Sequence, residues 1–276
     1  MTWKFEQVAG PYKGRTGGLA WDGKGMLFSA VAEERIYRFD PATGKTEDFR
    51  KYTGRTNGLA VMKDGSTAPT SELLDGKHHN QPADVIVDSR RRVWFADPWN
   101  GTPPYGPPAY PFLDHASVLR LDPAGNRAWT MKRVTHDTRG PRAILLAADE
   151  KTLYVADGDA ERGDVCQLFA YPVKPDGGVG PGKALLVFAP AERGIEGVCL
   201  DSGGNIVACA GWKKGGVGPS IYVISASGTI LETHPAPADL PMRCAFGDAG
   251  IDSLYLTAGD GGLYRARNTG RRGLKR

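Results

Sequence analysis

The chain of 276 residues repeats one pattern along most of its length. Each copy has a small or polar pair, an apolar run, a turn containing Asp or Gly, and a second apolar run. Short apolar runs on both sides of a turn, rich in Val, Ile, Leu, Phe and Tyr, predict β-hairpins. The copies are TGGLAWDGKGMLFSA from Thr16, TNGLAVMKDG from Thr56, QPADVIVDSRRRVWFAD from Gln81, GPRAILLAADEKTLYVAD from Gly140, GIEGVCLDSGGNIVACAG from Gly194 and PMRCAFGDAGIDSLYLTAG from Pro241.

A third alternating segment follows most of these hairpins and ends in a turn signal such as DP or DG. No window of a dozen residues has the 3.6-residue period of an amphipathic helix. The repeat length of about 40 to 55 residues is typical of propeller blades. The sequence therefore predicts an all-β protein, a six-bladed β-propeller. The third segments are RIYRFDPATG, SVLRLDPAG, QLFAYPVKPDG, SIYVISASG and GLYRAR.

Two features concern the completeness of this ring. The last unit has three strands, and the alternating segment from Trp3 to Val8 is predicted to pair outside it, so that an N-terminal strand closes the last blade. The second unit lacks about 20 residues of outer blade compared with the others. Either the second blade is truncated or a segment is missing from the sequence. A truncated blade would leave strand edges that a partner could cover, and the oligomeric state is left open.

The whole chain, residues 1–276, is interpreted as a single propeller domain, in which residues 266–276 form a basic C-terminal tail. The net charge is only +4, and much of the excess lies in this tail, which is expected to be solvated. No wide basic face predicts a nucleic-acid partner. No apolar stretch of transmembrane length or signal segment predicts a membrane partner. The four cysteines form no C-x-x-C pair and are expected to be free thiols in a cytoplasmic protein.

Several segments resemble the sugar lactone lactonases, the family of gluconolactonase and regucalcin (senescence marker protein). The resemblance extends from about Gly18 to Arg267, apart from the short second unit. It implies a six-bladed propeller with one divalent cation on its axis, and hydrolysis of sugar lactones. The segments are NQPADVIVDSRRRVWFADP, MRCAFGDAGIDSLYLTAGDGGLYRAR and TLYVAD.

In such a propeller the residue before each inner apolar run lies at the mouth of the central channel. The resemblance implies metal ligands Glu, Asn and Asp at three of these positions. This chain has Gly17 in place of the Glu, Arg142 in place of the Asn, and Glu196 in place of the Asp. The resemblance implies that this Asp is also the catalytic base. The six positions are Gly17, Asn57, Ala83, Arg142, Glu196 and Arg243.

This set of residues predicts that the metal site is lost. Glu196 and Asn57 offer few of the oxygens that a calcium ion requires. A guanidinium at about 6 Å would repel a divalent ion by about 5 kcal/mol at an effective dielectric constant of about 20. We therefore expect no cofactor. In the alternative, His78, His79 or Asp84 recruits a divalent cation (Ca, Zn, Fe or Mn) to a rearranged site.

The favoured hypothesis is an enzyme that opens a small carboxylated lactone. Glu196 acts as general base, while Arg142 and Arg243 replace the metal by binding the anionic substrate or its oxyanion. Glu196 is expected to pair with one of these arginines. An Arg142–Glu196 pair that merely plugs the channel is the alternative. The catalytic residues are thus Glu196 and Arg142, and the substrate-binding residues are Arg243, Asn57, Asp84, His78, His79, Trp99 and His115.

Trp99 and His115 belong to a segment rich in Pro and aromatic residues, 97–115, that is expected to fold over the mouth. Asp97 and Asp157 are expected to cap turns, and His136 and His234 to be solvated. Three other functions remain open at this point: an isomerase or lyase on the same scaffold, a metal-dependent lactonase with rearranged ligands, and a non-catalytic propeller that binds an anion.

Overall fold

The computed structural model describes residues 2–62, 73–98, 111–125 and 128–274. These residues form twenty β-strands in five four-stranded antiparallel sheets. The innermost strands of the sheets contact one another in succession, which makes the sheets the blades of a β-propeller. Within the described residues, none of the helices is long and apolar enough to cross a membrane.

Each blade is named here by its innermost strand. The N-terminal strand is β1 (Phe5–Ala9). The β2 blade contains β2 (Thr16–Trp21), β3 (Met26–Ala30), β4 (Arg35–Asp40) and β5 (Lys45–Lys51). The β6 blade contains β6 (Asp84–Val87), β7 (Val93–Asp97), β8 (Ser117–Pro123) and β9 (Trp129–Arg133). The β10 blade contains β10 (Ala143–Leu146), β11 (Thr152–Asp157), β12 (Gln167–Pro172) and β13 (Lys183–Val187). The β14 blade contains β14 (Ile195–Leu200), β15 (Ile206–Trp212), β16 (Gly215–Ile224) and β17 (Ile230–Pro235). The β18 blade contains β18 (Pro241–Gly247), β19 (Ser253–Ala258), β20 (Leu263–Ala266) and β1. Short 3-10 helices occupy Val31–Glu33 and Ala160–Arg162.

The all-β propeller is confirmed, but the prediction of six blades is wrong, because the described residues form five. The start of the second unit lies between the β2 and β6 blades without forming a strand. There the Gly18 N–H donates to the Asn57 carbonyl, and a Cβ on Gly58 would lie 2.9 Å from the Asp84 Cα. The unit is too short to supply the outer strands, and within the described residues the segment forms no ladder with a neighbouring strand.

The N-terminal strand closes the ring, as predicted. β1 runs antiparallel to β20, with Phe5 opposite Ala266 and Ala9 opposite Leu263. The Arg265 guanidinium supports this pairing by donating to the Glu6 carboxylate at 2.8 and 3.0 Å.

The described part of the C-terminal segment is only partly solvated as predicted: Arg267 and Arg272 are exposed, whereas other residues pack on the propeller. Arg271 pairs with Asp201 and with Glu232, the latter at 2.5 Å, and Leu274 packs on the core between the β10 and β14 blades. Asp201 directly follows β14 and Glu232 lies on β17, so both partners are distant from the tail in sequence, and they neutralise the Arg271 charge.

His234 is buried, with 4% of its surface exposed, which corrects the prediction that it is solvated. Its ring stacks on Trp3 with the ring centroids 4.0 Å apart, and its Nε2 lies 2.9 Å from Glu232. The Trp3 indole N–H donates to the Thr269 carbonyl at 3.0 Å. Both ends of the chain are thereby fastened to the β14 and β18 blades.

The apolar core lies between neighbouring blades rather than at the axis. Between the β18 and β2 blades, for example, Met26, Phe28, Phe39 and Tyr255 pack together with almost no exposed surface. Blade-to-blade packing of this kind leaves a narrow central channel, and the inner strands all begin at the same end of it. This end is called the upper mouth below.

Asp97 and Asp157 cap the turns that lead into the inner strands, as predicted. The Asp97 carboxylate accepts the Asn80 N–H at 2.8 Å, and Asp157 accepts the N–H groups of Arg139 and Gly140. Asp97 has no exposed surface, and desolvation raises its pKa to about 7 against the opposing hydrogen bonds from Asn80.

Asp97→Asn tests this burial through the pH dependence of stability. Because the folded protein keeps a proton on Asp97 that the unfolded chain releases near the ordinary aspartate pKa of 3.8, the Asp97 contribution is lost as pH rises toward about 7. Between pH 5 and pH 8 the free energy of unfolding of the wild type should fall by about 2 to 3 kcal/mol relative to the variant, as measured by urea denaturation. A difference that is constant with pH would contradict this account.

Trp3→Ala tests the closure at the termini. Loss of the stack on His234 and of a nearly buried aromatic side chain should lower the free energy of unfolding by about 3 to 5 kcal/mol. Tyr52→Ala is the control, because Tyr52 is 92% exposed, and it should change stability by less than about 0.5 kcal/mol. Equal effects of the two substitutions in urea denaturation would show that Trp3 does not fasten the ring.

Candidate active site

The six positions before the inner strands form a ring at the upper mouth. The Arg243 guanidinium donates to the carbonyls of Glu196, Ala83 and Arg142, the last at 3.4 Å, so four of the positions lie within the reach of one side chain. Gly17 and Asn57 complete the ring, since a Cβ on Gly17 would lie 2.6 Å from the Asn57 Oδ1. The unit that lacks its outer strands thus still contributes its ring residue.

Arg243 crosses the axis and has 5% of its surface exposed. Besides the three carbonyls of other blades, it donates to the carbonyl of Met242 at 2.8 Å, and its Nε lies 3.5 Å from the Asp84 Oδ1. Asp84 in turn accepts the Ile144 N–H at 3.0 Å, and desolvation raises its pKa in spite of the Arg243 charge. In this structure Arg243 and Asp84 tie the β6, β10, β14 and β18 blades together.

The residues at the axis do not fit the divalent cation that the resemblance implies. The cationic Arg243 guanidinium lies among the ring carbonyls, and Gly17 provides no carboxylate and no room for one beside Asn57. In the described part of the chain, no three His, Cys, Asp or Glu side chains are arranged to hold a metal ion. Neutral carbonyls around a fixed positive charge form a poor site for a second cation.

The Glu196 carboxylate pairs with Arg193, not with Arg142 or Arg243 as predicted. The Arg193 guanidinium lies 2.8 Å from the Glu196 Oε1 and 3.5 Å from Glu161, with its carbon 5.3 Å from the centre of the Trp212 ring. Arg142 pairs instead with Asp159, in the connection between β11 and β12. The prediction failed because it considered ring positions alone, whereas Arg193 reaches Glu196 from three residues earlier.

A cleft opens between the β10 and β14 blades beside Glu196. The atoms that line it enclose no space wide enough for a water molecule, and the unfilled space of about 230 Å³ around them includes open solvent. Glu196 itself is 6% exposed, so its carboxylate is shielded from bulk solvent, and a ligand reaches it only if the cleft widens. The residues lining the cleft are Asp157, Gly158, Asp159, Ala160, Cys166, Arg193, Gly194, Ile195 and Glu196.

Arg15 is a further cation at the mouth that was missed in the sequence. It is exposed, and its charge interacts with those of Glu196, Arg243, Arg142 and Arg193. Desolvation lowers the pKa of Arg15, the three arginines lower it further, and Glu196 opposes them.

A signal for the missed arginines exists in the repeats. An Arg followed by Thr or Gly precedes the ring residue by two or three positions in four of the units. This places arginines around the mouth from several blades, whereas the ring register alone identifies only Arg142 and Arg243. The four residues are Arg15, Arg55, Arg139 and Arg193.

Asn57 presents a buried acceptor to the ring. Its Oδ1 is shielded from solvent and accepts no hydrogen bond from the described residues. Buried amide oxygens are normally satisfied, so a water or a ligand hydroxyl is the expected donor.

The three histidines proposed for substrate binding lie at the upper end of the β6 blade. Segments 77–80 and 111–116 pair there, with the His78 N–H donating to the Pro111 carbonyl at 2.8 Å. His79 contacts the edge of Phe95, and the His115 Nδ1 lies 2.8 Å from the Ser117 Oγ. Desolvation and the nearby Arg133 charge lower the pKa of His115. Trp99 lies outside the described residues.

The geometry of ring and cleft can be compared with known proteins. A family model described as SMP-30/Gluconolactonase/LRE-like region matches residues 15–260. Pentonolactonase of Haloferax volcanii is 25% identical over 259 residues, which cover 88% of this chain and 81% of that protein. The 6-deoxy-6-sulfogluconolactonase of Pseudomonas putida is 23% identical over 251 residues, which cover 84% of this chain and 78% of that protein.

Among solved structures, a gluconolactonase of Xanthomonas campestris superposes with a TM-score of 0.77 at 23% identity, covering 96% of this chain and 89% of that one. At this identity the likeness shows the shared fold. Since the family model spans most of the sequence, including every ring position, the chain belongs to the SMP-30/gluconolactonase/LRE-like family.

Proposed function

We propose that the protein hydrolyses a small anionic lactone at the upper mouth, with Glu196 as general base. The observation that carries this proposal is the position of the Glu196 carboxylate, which is nearly buried, lines the cleft, and occupies a ring position. The names of the two relatives with similar sequences describe lactonases, which supports the same reaction class for this chain.

In the proposed mechanism, Glu196 takes a proton from a water molecule as the water attacks the lactone carbonyl. The pair with Arg193 engages the Oε1 of Glu196, and within the described residues the Oε2 accepts no hydrogen bond. Oε2 is therefore the atom proposed to receive the proton. The ring oxygen of the lactone leaves as a hydroxyl once it has been reprotonated.

Arg142 is proposed to stabilise the oxyanion that develops on the lactone carbonyl. The Arg142 Nη2 pairs with Asp159, and the buried Nε makes no hydrogen bond in the described structure. The Arg142 side chain as a whole is 20% exposed. A pre-positioned guanidinium beside developing negative charge is a recurrent source of transition-state stabilisation.

Arg243 is proposed to replace the metal as the cation of the ring, with no direct contact to substrate. Its donors are already committed to backbone carbonyls, and Asp84 is proposed to act through it. Asn57 is proposed to accept a hydroxyl hydrogen from the substrate, because its Oδ1 lacks a donor among the described residues. His78, His79, His115 and Trp99 remain proposed contacts from the β6 side of the mouth.

A cytoplasmic location is part of the proposal and is supported by the cysteines. The four described cysteines are free thiols, and the Cys199 and Cys244 sulfurs lie 3.7 Å apart without a bond. Reducing compartments keep such close thiols unpaired.

Glu196→Gln is the direct test of the base. The amide still accepts from Arg193 but cannot take a proton, so kcat/KM for a turned-over lactone should fall at least about 100-fold. Hydrolysis of a panel of neutral and carboxylated aldonolactones is followed by pH-stat, with thermal unfolding as the check on folding. Glu161→Gln, which removes the other carboxylate near Arg193, is the control and should retain activity within about threefold. Full activity of Glu196→Gln would remove this mechanism.

Removal of metal ions tests the role given to Arg243. Dialysis of the wild type against a chelator should leave kcat/KM unchanged within about twofold, and added Ca, Zn or Mn should not raise it. Loss of activity that one divalent ion restores would favour a metal-dependent lactonase with rearranged ligands instead.

A further inference from the structure

The cations at the upper mouth differ in how they are paired. Four guanidinium groups interact through their charges at the upper mouth, and three of them each have a carboxylate partner. The fourth, Arg15, makes no side-chain hydrogen bond or ion pair with any described residue. Arg15 is thus the one of these four arginines whose charge no carboxylate among the described residues neutralises. The three pairs are Arg142 with Asp159, Arg193 with Glu196, and Arg243 with Asp84.

The backbone that carries Arg15 is fixed. The next residue, Thr16, is fully buried and its hydroxyl donates to the Gly262 carbonyl at 2.7 Å. The Arg15 carbonyl accepts the Val31 N–H at 3.4 Å. Only the side chain of Arg15 is free to adapt, and it does so from a rigid base, which reduces the entropy lost on binding a ligand.

The electrostatic surroundings favour an anion beside Arg15. Arg15 is exposed two residues before the ring position Gly17, and its charge is repelled by the three other guanidinium groups and attracted by Glu196. A bound oxyanion would relieve this repulsion and accept two parallel N–H donors from the planar guanidinium.

The ring order places Arg15 well for this role. Six ring positions surround the axis, and Arg15 lies two residues before one of them, Gly17. Counted around the ring, Gly17 is three positions from Arg142 and therefore lies opposite it. Arg142 and Arg193, the arginines nearest the cleft, are each already paired with a carboxylate. A small substrate with its carbonyl beside Glu196 would therefore direct its charged group toward Arg15.

We propose that Arg15 binds the anionic substituent of the substrate, a carboxylate, sulfonate or phosphate, and so sets a preference for charged over neutral lactones. This inference rests on the proposed lactone hydrolysis at Glu196. Arg15 is a specificity-determining residue here and takes no part in proton transfer.

The chain supplies a matched control. Arg55 precedes its ring residue Asn57 in the same Arg-Thr context, but its Nε lies 3.8 Å from Glu34 and its side chain is 61% exposed. Arg55→Gln therefore removes an equivalent charge from the same end of the propeller outside the group of interacting guanidinium ions.

The experiment compares two lactones of the same ring size, one ending in a hydroxymethyl group and one in a carboxylate. For Arg15→Gln, kcat/KM on the carboxylated lactone should fall about 10- to 100-fold, mainly through KM, while the neutral lactone changes less than about threefold. Arg15→Lys should recover part of the loss, because it restores the charge without the planar fork. Arg55→Gln should leave both substrates unaffected.

Two outcomes would overturn the inference and leave the hydrolysis standing: an equal loss on both lactones, or no loss on either. If the wild type turns over neither lactone, the proposed hydrolysis fails, and calorimetry with the ring-opened acids decides about Arg15 separately. Tighter binding of the dicarboxylate than of the monocarboxylate by the wild type, abolished in Arg15→Gln, would support the anion site. Equal binding of the two acids, or binding that Arg15→Gln leaves intact, would refute it.

Discussion

The carbonyl groups that converge on the axis impose the constraint on which the rest of this structure depends. Inner strands that begin around one centre direct polar groups into a narrow space, where they must be satisfied. In this chain the Arg243 guanidinium satisfies the carbonyls of Glu196, Ala83 and Arg142 and is balanced by Asp84. That shared donor links the ends of the inner strands of four blades at the mouth.

The chemistry proposed for the mouth follows from how its charges are divided. Because Arg243 serves the backbone, the side chains of Glu196 and Arg193 are left to line the cleft, and Arg142 pairs with Asp159 beside it. Arg193 holds the carboxylate from one side and is itself held against Trp212, so the proposed base lies on a rigid support. The fold thus separates a cation that maintains the ring from cations positioned to meet a ligand.

The repeats in the sequence were sufficient for the propeller, the closing strand and the ring positions, since all three depend on a periodic register. The number of blades was not predicted, because the second unit retains Asn57 and its neighbours at the axis but forms no described strand. Side-chain pairing was predicted poorly. Arg193 lies outside the ring register, and the burial of His234 depends on Trp3, which is distant in sequence and contacts it only after the ring closes. Such contacts are set by three-dimensional direction, which a linear pattern does not contain.

The use of a side chain as the axial cation has a consequence for how the ring responds to its surroundings. An ion bound from solution obeys mass action, so its occupancy varies with supply, competing chelators and protons. The Arg243 guanidinium is tethered to the polypeptide, so its local concentration is fixed when the chain folds. Formation of the contacts that Arg243 makes at the axis is therefore a unimolecular event, which needs no ion from solution.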